Sequence, residues 1–374
     1  MRLASFLLLI PMLAGCEQPS SPPDSTRGTV SVSERMGSTP DPGFRRADRP
    51  RSLDFPADHG AHPEYATEWW YFTGNLWGSD AARFGYQFTL FRVGLAPGTP
   101  AEDSPWRSHQ LYMGHLAVTD IDAQQHHSSE RFSRAAAGLA GADTSPLRVW
   151  LGSWALVAED KTGLFPLRLR AEADDIAIDF TLQPGNKERV LQGEQGWSRK
   201  GAAQGNASYY YSYTRLPTQG RIRIGTQWHE VEGSSWFDRE WSSSALAEDQ
   251  AGWDWFALQL EDGRDLMFYR MRDRQGHAQI FSQGVLVEAD GQITRLDLNN
   301  TRVQPSGFWT TPDGVRYPVR WQVSIPAKEI ELTVEAAVSD QEMNHSVRYW
   351  EGAVDVRGSQ SGLGYLELSG YSSR

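Results

Sequence analysis

Acidic residues stand close to tryptophan at three places in the chain, and this combination is suited to chemistry. Residues 58–76 hold a His- and acid-rich segment followed by EWWYFTGNL, residues 233–256 hold WFDREW and WDWF, and residues 349–371 hold YWEGAV and GYLELSGY. A carboxylic acid in an apolar pocket stays protonated near neutral pH, because desolvation penalises its charged form. Such an acid can protonate a carbon–carbon double bond, and Trp faces stabilise the resulting cation. The clusters therefore contain the residue types that such acid-assisted chemistry needs.

The first candidate acid is Asp238, which lies in WFDREW between two tryptophans. One interpretation is that Asp238 is a general acid in an apolar pocket. The other is a structural ion pair of Asp238, Arg239 and Glu240 beneath Trp241. The sequence leaves both open.

Aromatic and polar residues around the acids are the candidate ligand-binding set. For the tryptophans the alternative is core packing, because large aromatic side chains dominate β cores. His59 and His62 have HxxH spacing with Glu64 nearby, but this spacing need not converge outside a helix, and we expect no metal and no cofactor. The candidate ligand-binding residues are His59, Glu68, Trp69, Trp70, His115, Trp236, Trp241, Trp253 and Trp255.

Composition and missing motifs exclude several function classes. The formal net charge of −11 argues against nucleic-acid binding, which needs a basic surface. The sequence contains no G-x-S-x-G elbow of an α/β-hydrolase, no Walker A motif and no G-x-G-x-x-G after a strand. A glycosidase that uses paired carboxylates remains a third functional candidate, because Trp-lined β sites also bind sugars.

The single cysteine, Cys16, lies in a segment that resembles the lipobox of bacterial lipoproteins. A short positive start precedes the apolar residues 3–13, and Leu13-Ala14-Gly15-Cys16 follows. We expect residues 1–15 to be a signal peptide and Cys16 to carry lipid, since several acyl chains on one residue anchor a protein stably. Glu17 then favours an outer-membrane protein that faces the periplasm.

The sequence after Cys16 predicts a tether followed by a β-sheet region. Residues 16–50 are rich in Pro, Ser, Gly and charge, which predicts a disordered tether. From about residue 51, apolar residues alternate with polar ones, as in residues 84–90 and 317–325, which predicts antiparallel barrels or sandwiches. We place a domain boundary at residues 216–217. Residues 130–142 are the only moderate helix candidate.

One hairpin is nearly explicit in the sequence. Residues 255–261 and 264–271 flank Asp262-Gly263. Because Asp-Gly suits two central residues with positive φ, the dipeptide predicts a two-residue type I′ turn.

The three clusters, in this order, resemble the hydroxyneurosporene synthase family, also called carotenoid 1,2-hydratase-like or AttH-like. The resemblance covers roughly residues 50–374, and EWWYFTGNL and WFDREW are its most specific segments. It implies an all-β fold of two lipocalin-like antiparallel barrels, residues 51–216 and 217–374, with an apolar ligand cavity. Activities in the wider group include addition of water to an isoprenoid double bond and pericyclic ring closure. Several members are encoded beside ABC-transporter permeases.

The chain departs from the hydratase pattern at the catalytic positions. The resemblance implies a His and a Trp on one strand and a Tyr and an acid on the next. These positions fall at Trp253, Trp255, Tyr269 and Met271, so the Tyr is kept while the His and the acid are absent. Asp238 or Asp254 could replace the missing acid, which makes Asp238, Asp254 and Tyr269 the candidate catalytic residues.

The leading expectation is a periplasm-facing lipoprotein that binds an isoprenoid or acyl chain in a Trp-lined cavity. Addition of water to a double bond of that chain is the reaction that the resemblance implies. The alternative from another class is a non-catalytic accessory lipoprotein of an ABC transporter, with lipid or peptide cargo.

Overall fold

The structure is a computed structural model that describes residues 30–31, 42–79, 81–98, 108–161, 163–243 and 246–372. The predicted lipidation site Cys16 and most of the predicted tether lie outside these residues. Within them, no helix is long and apolar enough to cross a membrane.

The described residues form two large sheets, and their only helical segments are the short 3₁₀ turns Ala57–His59 and Pro326–Lys328. Every strand pairing is antiparallel except that of β1 with β23. The first sheet contains β2 (Thr67–Gly78), β3 (Arg83–Gly94), β4 (Gln110–Asp120), β5 (Gln125–Arg134), β6 (Ala140–Thr144), β7 (Leu147–Leu151), β8 (Trp154–Ala158), β9 (Leu167–Glu172), β10 (Ile176–Leu182), β11 (Val190–Leu191), β12 (Trp197–Arg199), β13 (Ala207–Ile224) and β14 (Gln227–Ser242). The second contains β1 (Val30–Ser31), β15 (Gln250–Leu260), β16 (Asp265–Asp273), β17 (Gln283–Val287), β18 (Ile293–Asp297), β19 (Arg302–Thr310), β20 (Arg316–Ile325), β21 (Ile330–Ala336), β22 (Glu342–Asn344), β23 (Val347–Gly358) and β24 (Gly362–Ser369).

The first sheet curls until strands from its two ends touch. Its order is β5-β4-β3-β2-β14-β13-β10-β9-β8-β7-β6. Trp154 of β8 packs so closely on Gly114 of β4 that an added Cβ would lie 2.8 Å from the indole ring. Arg131 of β5 stacks over the same indole at 4.9 Å. We call this sheet the first barrel, and its interior is filled by one apolar cluster.

The second sheet has the order β18-β17-β16-β15-β24-β23-β21-β20-β19 and forms the second barrel, with its own apolar core. The alternation predicted for residues 317–325 is confirmed. Tyr317, Trp321, Val323 and Ile325 are buried, while the polar residues between them face outward or are half-buried. The predicted all-β fold of two lipocalin-like domains is likewise confirmed.

The two barrels pack against each other through strands that are buried on both faces. In β3, Gly85 lies so close to the second barrel that an added Cβ would be 2.8 Å from Ala353 Cβ. Arg83 forms an ion pair with Asp355 at 2.5 Å, and the Asn75 side chain donates to the Gly364 carbonyl at 3.1 Å. A separate apolar cluster fills this seam.

Two local predictions are wrong. Residues 130–142 are not helical, because residues 130–134 pair with β4 as part of β5 and residues 140–142 belong to β6; pairing in the sheet outweighs local propensity. The hairpin of β15 and β16 is confirmed, but its turn is not type I′. Only Gly263 has positive φ (88°), and Leu260 N–H pairs with the Arg264 carbonyl at 2.8 Å, which gives a three-residue loop.

The sequence-based boundary does not coincide with the change of sheet. Residues 216–217 lie inside β13, which continues from Ala207 to Ile224 in the first sheet. A register shift against β14 between Tyr213 and Leu216 bends this long strand without ending it. The chain passes to the second sheet only after residue 242.

Candidate active site at the seam between the barrels

A cavity of about 100 Å³ lies at the seam, and we call it the seam cavity. This is several times the ~10–15 Å³ that one water needs. Its walls are formed by strands of both barrels: β2, β3, β13 and β14 of the first, and β15, β16, β23 and β24 of the second. The walls are mainly aromatic, with four carboxyl groups among them: Asp238, Glu240, Glu351 and Glu367.

The period of two along a strand divides each sequence cluster between two locations. On β2, Trp69 and Tyr71 line the cavity, so Glu68 and Trp70 point to the opposite face. On β14, Asp238 and Glu240 line it and Arg239 does not. Adjacent letters of one motif therefore belong to different sites.

Asp238 is the carboxyl group that the first barrel places at the centre of this wall. Its side chain accepts hydrogen bonds from the Tyr210 hydroxyl and, at 2.7 Å, from the Trp236 indole N–H. Trp255 of the second barrel in turn donates to the Tyr210 hydroxyl at 3.1 Å. Burial raises the pKa of Asp238 to about 7, although these donors and Ser212 oppose the shift.

The second barrel supplies a facing pair of carboxyl groups. Glu367 of β24 lies directly opposite both Trp255 of β15 and Glu351 of β23 in the strand register. Burial raises the pKa of Glu367 to about 7, while a hydrogen bond from Trp253 at 2.7 Å opposes the shift. Glu367 keeps some exposed area because its side chain faces the cavity.

Glu351 is the most deeply buried of the four carboxyl groups, with 1% of its surface exposed. Burial and the neighbouring Glu367 raise its pKa well above the usual range. The raised pKa favours the neutral carboxylic acid form of Glu351.

Charged and phenolic groups complete the wall near Lys200. The Lys200 ammonium lies 3.2 Å from Glu240 and 3.9 Å from the Tyr269 ring centroid. Burial lowers the pKa of Lys200, but Glu240 and Tyr269 more than offset this, so the pKa is raised and the lysine stays charged. The Tyr269 hydroxyl makes hydrogen bonds with Ser198 at 2.8 Å and Gln283 at 2.5 Å.

His115 links the seam cavity to the outer edge of the first barrel. Its Nδ1 lies 2.7 Å from the hydroxyl of Tyr349, which lines the cavity, and its Nε2 lies 3.0 Å from Glu130. Burial favours the neutral form of Glu130, but hydrogen bonds from His115 and Ser346 outweigh it and lower the pKa of Glu130.

Comparison with known families agrees with this architecture. The AttH-like family model matches residues 46–371. The chain belongs to the AttH-like family. The predicted resemblance is therefore confirmed. No curated protein matches the sequence.

Solved structures show the same AttH-like fold. A candidate AttH protein from Nitrosomonas europaea is 32% identical with a TM-score of 0.78, and the match covers 88% of this chain and 100% of that one. Kievitone hydratase from Nectria haematococca is 14% identical with a TM-score of 0.66, over 88% and 98%. The protein CghA, solved with Sch210972, is 13% identical with a TM-score of 0.52, over 88% and 97%. The last two show the fold alone.

Five of the sequence-predicted residues line the cavity of this AttH-like chain, and two more contact residues that line it. Trp69, Asp238, Trp253, Trp255 and Tyr269 line it. The Trp236 indole donates to Asp238 and packs edge-on against Trp255 with ring centroids 6.2 Å apart. His115 contacts the lining Tyr349 as described above.

A buried network lies on the opposite face of β2 and β14. It contains Glu68 and Trp70 of β2, Trp241 of β14, and His59 of the preceding 3₁₀ turn. Glu68 forms ion pairs with Arg92 and Arg239. Arg239 stacks over Trp70 at 4.0 Å. The ion-pair interpretation of Asp238 with Arg239 is therefore wrong, because the two side chains leave β14 on opposite faces and Arg239 pairs with Glu68.

The two histidines of the HxxH motif contact separate partners in this network. His62 stacks on Trp241 at 4.0 Å and makes hydrogen bonds to Asp58 and Glu68. His59 makes a hydrogen bond to the Tyr211 hydroxyl at 2.7 Å, and burial together with Arg189 lowers the pKa of His59 to about 3. Within the described residues no group of three or more His, Cys, Asp or Glu could hold a metal ion.

Asp254 does not reach the seam cavity. Its side chain lies on the opposite face of β15, fully buried. It forms ion pairs with Arg270 at 2.8 Å and Arg272 at 3.0 Å and accepts a hydrogen bond from Tyr371 at 2.7 Å. The structure therefore gives Asp254 a role in packing the second barrel.

Sequence reasoning missed Glu351 and Glu367 as site residues, together with Tyr71, Tyr210 and Lys200. The first two stand in the YWEGAV and GYLELSGY segments, where an acid interrupts an otherwise apolar strand. A carboxyl group in a strand buried on both faces needs a specific reason to be there, and this signal could have identified both residues.

Proposed function

We propose that the chain binds an apolar, unsaturated molecule in the seam cavity and adds water to one of its double bonds. Asp238 and Glu367 carry this proposal, because two carboxyl groups with pKa values of about 7 line one aromatic cavity from opposite barrels. The charges of Glu240 and Asp238 also raise the pKa of Glu367. Near pH 7 each of the two carboxyl groups is therefore partly protonated and partly ionised, so one cavity supplies both an acid and a base.

The hydrogen bonds favour Glu367 as the acid and Asp238 as the base. Both oxygens of Asp238 accept hydrogen bonds, from Tyr210 and Trp236, and these favour its ionised form. Glu367 accepts one, from Trp253, and has Glu351 beside it. This assignment changes the role of Asp238 from the acid that the sequence suggested to the base.

The reaction then balances within the cavity. The Glu367 O–H bond breaks as its proton forms a C–H bond with one alkene carbon, and the π bond becomes a cation at the other carbon. Trp253 and Trp255 line the cavity, and a cation over an indole face gains roughly 0.5–2 kcal/mol. Water attacks the cation and loses a proton to Asp238, and return of that proton to Glu367 completes the cycle.

The test uses two small prenyl ketones, 6-methylhept-5-en-2-one and geranylacetone, with product detected by mass spectrometry as the gain of one water. We expect a bell-shaped pH profile centred near 7, because both carboxyls are protonated at low pH and both are ionised at high pH. D238N and E367Q should each abolish turnover while probe affinity stays within about twofold. The matched control E230Q, at an exposed glutamate, should retain turnover. Retained turnover in D238N or E367Q, or no turnover of either probe by the unchanged protein, would contradict the proposal.

We further propose that Cys16 carries a lipid that holds the folded body at the bacterial cell envelope. The proposal rests on the lipobox resemblance of the residues before Cys16.

A further inference from the structure

Most polar groups of the seam cavity already have hydrogen-bond partners. Asp238, Tyr210 and Glu367 are tied to indole or phenol donors, and Tyr269 is tied to Ser198 and Gln283. Three lining side chains differ, because their polar atoms make no hydrogen bond among the described residues: Tyr71, Ser208 and Glu351. A buried polar group without a partner costs roughly 1–3 kcal/mol, so each such group calls for an explanation.

Glu351 and Tyr71 are neighbours in this set. The hydroxyls of Tyr71 and Tyr349 lower the raised pKa of Glu351 through weak hydrogen bonds, and the contact between Tyr71 and Glu351 falls short of regular hydrogen-bond geometry. Tyr71 is 5% exposed and Glu351 is 1% exposed, so their polar atoms face the cavity and not the bulk solvent. An O–H of a carboxylic acid and an O–H of a phenol therefore converge on one part of the cavity.

The Tyr349 hydroxyl cannot supply a proton to this pair. Glu130 is ionised at neutral pH and lies 3.0 Å from His115 Nε2, so Nε2 carries the imidazole proton and donates to it. His115 Nδ1 is then an acceptor, and the Tyr349 hydroxyl donates to it across 2.7 Å. Apart from these weak contacts of Glu351 with Tyr71 and Tyr349, the protons of Tyr71 and Glu351 have no acceptor among the described residues.

We propose that the ligand of the seam cavity carries a hydrogen-bond-accepting oxygen, a carbonyl or an ether-like oxygen, that lies against Glu351 and Tyr71. The inference rests on the proposed function for placing a ligand in this cavity, and it narrows the ligand class from a hydrocarbon chain to an oxygenated one. A carbonyl oxygen has two lone pairs and accepts from both donors at once. Trp69 and Trp255, on either side of the seam, face the apolar remainder of the ligand.

The test compares two probes of nearly the same shape, 2-acetylnaphthalene and 2-isopropylnaphthalene, by titration calorimetry at pH 7. We expect the ketone to bind about tenfold more tightly than the hydrocarbon, which corresponds to roughly 1.4 kcal/mol and to the net value of about one buried hydrogen bond. In E351L the preference should disappear. In E351Q, which keeps an N–H donor of the same shape, most of it should remain. Y71F should reduce it two- to fivefold.

Control variants test whether the preference for the ketone depends on Glu351 and Tyr71 or changes when any buried polar group is removed. Y317F removes another buried phenol without a hydrogen bond, in the core of the second barrel, and should leave the ratio unchanged. Equal binding of both probes by the unchanged protein would overturn the inference alone. Loss of the preference in S208A but not in E351L would also overturn it, because the oxygen would then lie against Ser208. Binding of neither probe would overturn the proposed ligand cavity and this inference with it.

Discussion

Replacing Glu68 with Gln should destabilise the first barrel by an amount that the structure allows us to work out. Glu68 is fully buried and forms ion pairs with the equally buried Arg92 and Arg239. Gln has nearly the same volume, so no cavity forms, but two guanidinium charges lose their counter-charge in a low-dielectric interior. Breaking a buried pair in this way costs about 3–5 kcal/mol. For a body of this size, with a urea m-value near ~3 kcal/mol per molar, the midpoint should fall by roughly 1–2 M.

The assay is urea unfolding followed by tryptophan fluorescence. Trp70 stacks on Arg239, and Trp241 stacks on His62, so both indoles report on the network directly. E64Q is the matched control, because Glu64 is partly exposed and lies 3.9 Å from an exposed Arg45, and ion pairs at the surface contribute about 0–1 kcal/mol. An unchanged midpoint in E68Q would refute the account of this network.

The same network predicts a pH dependence with a definite sign. Burial opposes ionisation of Glu68, but Arg92 and Arg239 outweigh it and hold its pKa well below the usual range. Glu68 therefore makes its full contribution to the free energy of unfolding above about pH 4.3, the pKa of a glutamate in the unfolded chain. This contribution is lost as the pH falls through the lower pKa that Glu68 has in the folded state. The difference in unfolding free energy between wild type and E68Q should therefore stay constant above about pH 5 and narrow progressively as the pH falls below about 4.3.

Three further predictions concern Asp254, Tyr210 and Cys16. D254N leaves two buried arginines without their carboxylate, so it should lower the urea midpoint while probe affinity in the seam cavity stays unchanged. An unchanged midpoint together with lost affinity would contradict the packing role of Asp254. Y210F removes a donor that lowers the pKa of Asp238, so the carboxyl ¹³C titration of Asp238 should move to higher pH, and a titration that does not move contradicts the role given to the Tyr210 hydrogen bond. C16S should release the protein from the membrane fraction with its fold intact, and continued fractionation with membranes would refute the anchor.

The sequence patterns predicted the strands well because a half-buried strand shows its faces directly. Alternation identified residues 317–325 and 84–90, and Asp262-Gly263 marked a hairpin. Turn type was missed because it depends on the φ of Asp262, which the dipeptide alone does not determine. The domain boundary was predicted too early because residues 216–217 lie at a bend inside the continuous strand β13, and such a bend resembles a boundary in the sequence.

The candidate site was predicted less completely than the fold. Motifs such as EWWY were treated as single clusters, although alternation assigns Glu68 and Trp69 to different faces. The seam cavity itself is made by packing of two barrels, so the approach of Glu367 to Asp238 depends on contacts between residues more than a hundred positions apart. The residues next to each carboxyl group in the sequence therefore do not predict that the two groups line the same cavity.

The central claim is that the seam cavity holds an acid and a base of matched strength. The most direct measurement is a ¹³C NMR titration of the Asp238 and Glu367 carboxyl carbons, assigned by comparison with D238N and E367Q. We predict that both titrate near pH 7. Two carboxyls that both titrate below pH 5 would be fully ionised at neutral pH, with no proton to donate, and would contradict the account.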